Sequence, residues 1–429
     1  AKSLAQDVFS CLAWFLFLFV LFVELATPQL IPFLAPGFTT TPERLDLAIT
    51  FTRITFPYIL FISLSTLLAG VLNSLNHFAA AAATPIFLNL MMIAGLSFYP
   101  YTNLAPGIVL CWAVFLAGVV QFGWLYWICL RVDFKFWLTW PHLTTDVVKV
   151  LKIMVPGTIG AGVMQINLFI DMMLASFLPT GSLSYLYYAD RLNHLPLSIF
   201  GVAIGTALLP SLSRCWRQGN HQQAHHQQSI ALEFAMQLTI PAATGLIVLS
   251  YSLIDLVFGH GHFTTKDVQA TAAVLAAFAF GLPAYVAGKV FATTYFARED
   301  TKTPVKVAVV CIFANLGLNL LLIPFFKHVG MALATSLAAW INTVLLAILL
   351  RKRGLFHFSR MLLKNTAKIT LTSVLMAAIL AGIQYLYPII DFDSTFKILG
   401  VLAWVGLGIV FYLSIGYGLG IRPLQHLKS

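Results

Sequence analysis

Apolar runs of about 17–28 residues follow one another along almost the whole chain, with short polar stretches between them. A bilayer's hydrocarbon core takes about 20 helical residues to cross. In lipid every backbone N–H and C=O needs an internal partner, so only helices or a closed barrel can span it. Barrel strands alternate apolar and polar residues over about ten positions. These runs are continuous and predict helices. Composition excludes a soluble fold: 9% of the residues are charged, against roughly 25% in soluble domains. The chain reads as an all-α polytopic membrane protein.

About twelve spans are expected, over residues 9–34, 50–73, 84–100, 106–130, 149–178, 184–211, 229–257, 268–297, 304–325, 329–351, 363–387 and 396–420. Pro28 and Pro32 predict a broken outer end for the first. Thr303 is expected to cap the helix that Pro304 opens. The pairs Phe56-Pro57, Thr84-Pro85, Leu282-Pro283 and Thr303-Pro304 make a faint internal echo of the kind transporters carry. Eighteen of the 25 Lys and Arg residues fall in one set of alternate loops and termini, from Lys2 to Arg422 and Lys428, and five in the other. By the positive-inside bias both ends are cytoplasmic. The net charge of +10 is therefore a matter of topology, not of nucleic-acid binding. Residues 8–23 could pass for a signal-peptide core, but Glu24 follows without a cleavage site, so a membrane helix is expected. The chain begins at Ala1, as a fragment would. The five cysteines show no disulfide or metal spacing. The histidine-rich stretch 219–228 reads as a solvated loop.

Polar groups inside spans are costly, roughly 2.5–3.5 kcal/mol for a charge at the bilayer centre, and usually face a bundle interior or a wet cavity. Arg191 stands out. Asp190 and His194 are one turn apart and can pair, while Arg191 projects about 100° from Asp190. A guanidinium facing a cavity suits a phosphate through paired hydrogen bonds; the alternative is an ion pair with a carboxylate of another helix. Lys289 either lines a cavity or reaches back to the interface along its stem. Arg53 and Glu24 fall near outer span ends and are expected to pair or to line an outer mouth. Asp171, Asn315, Asn319 and Thr335 form an oxygen set that suits a hard cation such as Na⁺, or else ordinary interhelical hydrogen bonds. No Gly-rich phosphate loop, carboxylate pair or Ser/His/Asp set points to an enzyme.

The stretch from Ala175 to Leu192, which reads Ala-Ser-Phe-Leu-Pro-Thr-Gly-Ser-Leu-Ser-Tyr-Leu-Tyr-Tyr-Ala-Asp-Arg-Leu, is similar to the signature of the MurJ (MviN) lipid II flippases. So are Gly205 to Ser213, Tyr295 to Lys306, Phe56-Pro-Tyr58, Leu72 to Phe78 and Ala35-Pro-Gly-Phe38, in family order. The resemblance implies the MOP-type transporter fold, two six-helix lobes around a central cavity followed by a C-terminal helix pair. In this chain that gives the remainder of the first lobe over 1–130, the second over 131–360 and the pair over 361–429. Family members have fourteen spans, and this chain matches from the third onward. The implied substrate is lipid II, the undecaprenyl-pyrophosphate-linked peptidoglycan precursor, carried from the cytoplasmic to the periplasmic leaflet of the bacterial inner membrane. Arg191 then corresponds to a cavity arginine, with Asp190 and Ser184 as motif neighbours and His194 where relatives often carry Glu or Gln. Arg53 and Lys289 join this substrate-binding set. The oxygen group around Asp171 corresponds to a cation site, with Asn319 where some relatives have a carboxylate. A monomer in contact with membrane lipids is expected, with no cofactor beyond Na⁺. The competing readings are another MOP-type transporter, such as a polysaccharide-unit flippase or a drug/cation antiporter, and a membrane enzyme acting on polyprenyl phosphates.

Overall fold

The structure, a computed structural model, describes residues 2–357, 359–386 and 394–420. Arg422 and Lys428, counted above, lie outside the described residues, as do the side chains of 205–207 at the start of the second motif. Among the described residues the secondary structure is helical, in two compact units, Ala1–Phe177 and Leu178–Ser429.

The first unit contains α1 (Lys2–Leu34), a short turn of helix (Pro36–Thr40), α2 (Pro42–Thr55), α3 (Tyr58–Ser74), α4 (Phe78–Ala82), α5 (Thr84–Phe98), α6 (Pro106–Arg131) and α7 (Thr145–Ser176). The expected break in the first span does not occur: α1 continues through Pro28 and Pro32. A membrane helix keeps a proline more readily than a soluble one, because no water replaces the hydrogen bonds that unwinding would give up. Leu68, Leu72, Leu125 and Cys129 fill the core between α3 and α6, with Phe9 and Leu16 of α1 against them. The extended segment after α6 lies along α1. Lys2 Nζ donates to Asp133 O at 2.7 Å, Gln6 exchanges hydrogen bonds with both backbone groups of Trp137, and Trp14 Nε1 donates to Thr139 O at 3.1 Å. Side chains along one face of α1 thus satisfy backbone that has no helix of its own. Expected to open the second lobe, α7 packs on α1 and the 36–40 turn, where Gly37 N donates to Ser176 Oγ at 2.9 Å, and it clusters with the first unit.

The second unit contains α8 (Ser182–Arg217), α9 (His221–Val248), α10 (Ser250–Phe258), α11 (Thr265–Phe296), α12 (Lys302–Lys352), α13 (Arg360–Leu386) and α14 (Ser394–Gly418). Its core helix is α11, which packs on α8, α9, α10 and α12. Small residues allow close approach, the usual way helices associate in lipid. A Cβ at Gly281 would sit 2.7 Å from Ser336 Oγ, and one at Gly288 2.9 Å from Thr343 Oγ1. Both hydroxyls donate across the interface, to Ala277 O and Ala284 O, each at 2.7 Å. Polar pairs hold α13 and α14 to α9 and α10: Asn365 Nδ2 to Glu233 Oε1 at 2.7 Å, Lys397 Nζ to Asp255 Oδ2 at 3.0 Å, and Tyr412 Oη to Gln237 O at 2.9 Å.

Among the described residues, nine helical segments are long and apolar enough to cross a membrane. One of them, α12, holds two spans, because Lys327 leaves the helical region at φ 50°, ψ −127°. With α7 and α8, long enough at 32 and 36 residues, the tally is the expected twelve. Two local readings change. The histidine-rich stretch is the start of α9, capped by Asn220 Oδ1, which accepts from Gln223 N at 3.1 Å; Gln and Ala extend a helix as readily as they solvate a loop. The acceptor at the start of α12 is Asp300, not Thr303.

Candidate functional site

Gly181, at φ 93°, turns the chain into α8. At 100° per residue, Ser184, Tyr187, Arg191, His194 and Ser198 fall on one side of that helix, and all five are exposed. Five polar side chains in line on a membrane-length helix make the candidate site. His194 Nε2 lies 3.4 Å from Asp190 Oδ2, the pair that their spacing anticipates. The partner of Arg191 is neither an interhelical carboxylate nor Asp190. Its Nη2 donates to Tyr187 Oη, and its guanidinium carbon sits 4.7 Å from the Tyr187 ring centre. The signal for this contact was the four-residue spacing of an aromatic and an arginine.

Lys289, on α11, is exposed and lies across α8 at Gly201, where a Cβ would be 2.7 Å from its Nζ. Glycine at that point lets the ammonium rest against the helix surface. Gly201 is ten positions beyond Arg191, about 15 Å along α8. The second unit therefore carries two cationic positions along α8, near its start and near its middle.

On the opposite side of α8, Pro196 and Phe200 wall an apolar cavity of about 480 Å³. Pro241 and Gly245 of α9, Met376 of α13 and Ile409 of α14 close the remainder. One helix thus separates a polar stripe from a space suited to hydrocarbon.

The other sequence-derived residues fall elsewhere. Arg53 lies in the last turn of α2 and is exposed, and it makes no ion pair with Glu24 among the described residues. Asp171 is on α7, in the first unit, and Asn167 Nδ2 donates to it at 3.0 Å. Asn315, Asn319 and Thr335 are in the second unit. Asn319 Nδ2 donates to Asn315 Oδ1 at 3.0 Å, both residues being buried, and Thr335 Oγ1 donates to Met331 O at 2.9 Å. An amide oxygen has two lone pairs, so Asn315 Oδ1 retains acceptor capacity. Glu233, a carboxylate inside an apolar run and so visible in the sequence as a group in need of a partner, accepts from Asn365 and anchors α13 to α9.

Comparisons with known proteins bear on these features. The family model described as "Lipid II flippase MurJ" matches residues 1–402. A relative from Rhizobium tropici named "Probable lipid II flippase MurJ" is 35% identical over 427 residues, which cover 97% of this chain and 80% of that protein. The solved structure "Lipid II flippase MurJ, inward closed conformation" superposes with a TM-score of 0.79 at 29% identity, covering 98% of this chain and 85% of that one. An inward-facing multidrug resistance MATE transporter of the MOP superfamily has a TM-score of 0.64 at 13% identity, over 82% of this chain and 86% of its own. At that identity the likeness is one of fold alone.

Proposed function

The chain belongs to the MurJ family of lipid II flippases, and from that premise we propose how its residues take the substrate: Arg191 receives the pyrophosphate, and the apolar cavity beside α8 receives part of the polyprenyl chain. Lipid II is carried from the cytoplasmic to the periplasmic leaflet of the bacterial inner membrane. No covalent bond of the substrate changes, so the chain is a multi-pass transporter and not an enzyme. The fold is the MOP type, which suits alternating access.

The observation that carries the substrate reading is Arg191 itself. A guanidinium on the exposed side of a membrane-length helix is expensive unless it has something to bind. Its planar fork matches two phosphate oxygens at once. Ser184 and His194, on the same side, add a hydroxyl and a ring nitrogen, and Asp190 steadies His194. Lys289, about 15 Å along α8, offers a second position for the pyrophosphate as it crosses. Arg53, in the first unit, is given a substrate-binding role on its charge and exposure alone. One chain supplies all of these groups, and the reading needs no second copy.

The test is replacement of Arg191 followed by two measurements, membrane insertion and lipid II translocation. Arg191→Ala is expected to insert normally and to lose transport. Arg191→Lys should recover little, because a point charge does not reproduce the fork. Normal growth of cells that depend on the alanine variant would remove Arg191 from the substrate site.

We propose Na⁺ as the cation that the oxygen-bearing side chains of either unit would favour, Asp171 in the first and Asn315, Asn319 and Thr335 in the second, since carboxylate, amide and hydroxyl oxygens suit a hard ion. Asp171 is the one carboxylate among these residues, so Asp171→Asn should abolish most of any thermal stabilisation by Na⁺ over K⁺ at matched ionic strength, and Thr335→Val, tested separately, should reduce it less. If Na⁺ gives the unaltered protein no advantage over K⁺, these side chains serve only as hydrogen bonds within and between helices.

A further inference from the structure

We propose that Tyr187 is a positioning residue for Arg191, fixing the guanidinium on the exposed side of α8 and presenting its own hydroxyl proton beside it, so that the two form one clamp for a pyrophosphate. The inference deepens the lipid II reading above and rests on it for the identity of the anion.

An exposed arginine explores many rotamers, and ordering it costs side-chain entropy. Arg191 forms no ion pair among the described residues. What holds it is Tyr187, one turn earlier, and it does so twice: the ring takes the guanidinium at 4.7 Å and the phenol oxygen accepts a hydrogen bond from Nη2. Of the five N–H donors of an arginine, four remain for a ligand. A phenol that accepts a hydrogen bond still has its proton to donate, so Tyr187 Oη can add a donor next to the fork. The neighbouring carboxylate does not compete, because Asp190 faces His194 at 3.4 Å.

The tyrosine is itself braced. Its ring meets that of Tyr188 edge-on at 6.2 Å. Tyr188 packs against Phe258 at 4.7 Å and Phe263 at 5.8 Å, at the outer end of α10 and in the loop beyond it. Rigid support under a mobile cation is what preorganised anion binding requires. A purely structural tyrosine would bury its ring; Tyr187 is 56% exposed.

The test uses Tyr187→Phe in the full chain, reconstituted in lipid nanodiscs, with two readouts. The first needs no substrate: the rate at which phenylglyoxal modifies Arg191, followed by peptide mass spectrometry. Loss of the phenol oxygen should speed that reaction severalfold, while Arg298, stacked on Trp216, reacts as before. The second is affinity for lipid II, with undecaprenol as the uncharged control. Tyr187→Phe should weaken lipid II binding about tenfold, the scale of one hydrogen bond to a charged group, and should cost nothing further once Arg191 is alanine. An unchanged phenylglyoxal rate, or the same loss of affinity with and without Arg191, would overturn the positioning role. If the unaltered protein binds lipid II no better than undecaprenol, the substrate reading falls, and the phenylglyoxal result still decides whether Tyr187 holds Arg191.

Discussion

Asp300 accepts hydrogen bonds from Thr303 N at 3.0 Å and Thr303 Oγ1 at 2.7 Å, and Arg353, fifty-three positions further on, meets the same carboxylate at 2.6 Å. One side chain thus caps the start of α12 and ties it to that helix's far end. The bonds from Thr303, and then that from Arg353, hold the Asp300 carboxyl down to about 2. A depressed carboxylate adds stability above its ordinary range and loses it as pH falls through the folded value. This contribution should therefore be full at neutral pH and fade from about pH 4 toward pH 2. Asp300→Ala removes the cap, worth roughly 1 kcal/mol, as well as the pair. Arg353→Ala leaves the cap and removes a half-exposed ion pair, worth about 0.2–1 kcal/mol, with a hydrogen bond to Thr303 Oγ1 and a contact with the Tyr295 ring. Thermal unfolding in detergent at pH 7 should rank Asp300→Ala as the more damaging; equal losses would mean that the ion pair dominates the cap, and the reverse order that the contacts of Arg353 with Thr303 Oγ1 and Tyr295 dominate both. Neither partner was legible in the sequence as such. Arg191 was, because a charge inside an apolar run needs a reason. Asp300 and Arg353 lie in loops where charges are ordinary, and only the return of α12 brings them together. Tyr187 was hidden differently, since an aromatic residue in a membrane span calls for no explanation.

The turn at Lys327 shows what a helix boundary demands. The sequence separates 304–325 from 329–351 by a short polar stretch, and the backbone turns there, with Lys327 at φ 50°, ψ −127°. A non-glycine residue in that region is strained by about 1–3 kcal/mol. Three positions later Gly330 is buried, and a Cβ there would lie 2.6 Å from Leu322 O and 2.8 Å from its carbonyl carbon. Those are backbone atoms and cannot rotate away. Lys327→Gly should raise the melting temperature or leave it unchanged, whereas Gly330→Ala should lower it by forcing the two halves of α12 apart. A melting temperature for Gly330→Ala equal to that of the parent would show that the turn opens easily. Span positions were legible because each rests on twenty or so residues of continuous hydropathy. The break in α1 and the loop over 219–228 were misread because single prolines and short polar runs carry less weight than the hydrogen bonds a helix gains in lipid. Which helices α7 would join was not legible at all, since an apolar surface does not name its partner.

At the scale of the molecule, two independent patterns describe one topology. Helix lengths give twelve crossings, and eighteen lysines and arginines against five mark alternate loops as cytoplasmic. The patterns are linked, because an error of one crossing would move every later cation to the wrong side and erase the bias. The segment from His221 to Phe258 is one of these crossings, made of α9 and α10 in succession. Gln222 at its start and His262 just beyond its end are both exposed, so they belong on opposite faces of the membrane. With the five native cysteines replaced, His262→Cys should react with a membrane-impermeant maleimide added outside the cytoplasmic membrane, and Gln222→Cys should react only after the membrane is permeabilised. Labelling of both from outside would mean that the His221–Phe258 segment does not cross. The opposite pattern would invert the protein and put the cation-rich loops in the periplasm, against the bias that sets orientation during insertion. On the substrate path proposed above, orientation also sets an order along α8. Its end near Arg214 and Arg217 lies among the cation-rich loops, so a pyrophosphate from the cytoplasmic leaflet would meet Lys289 before Arg191, the less specific cation before the fork.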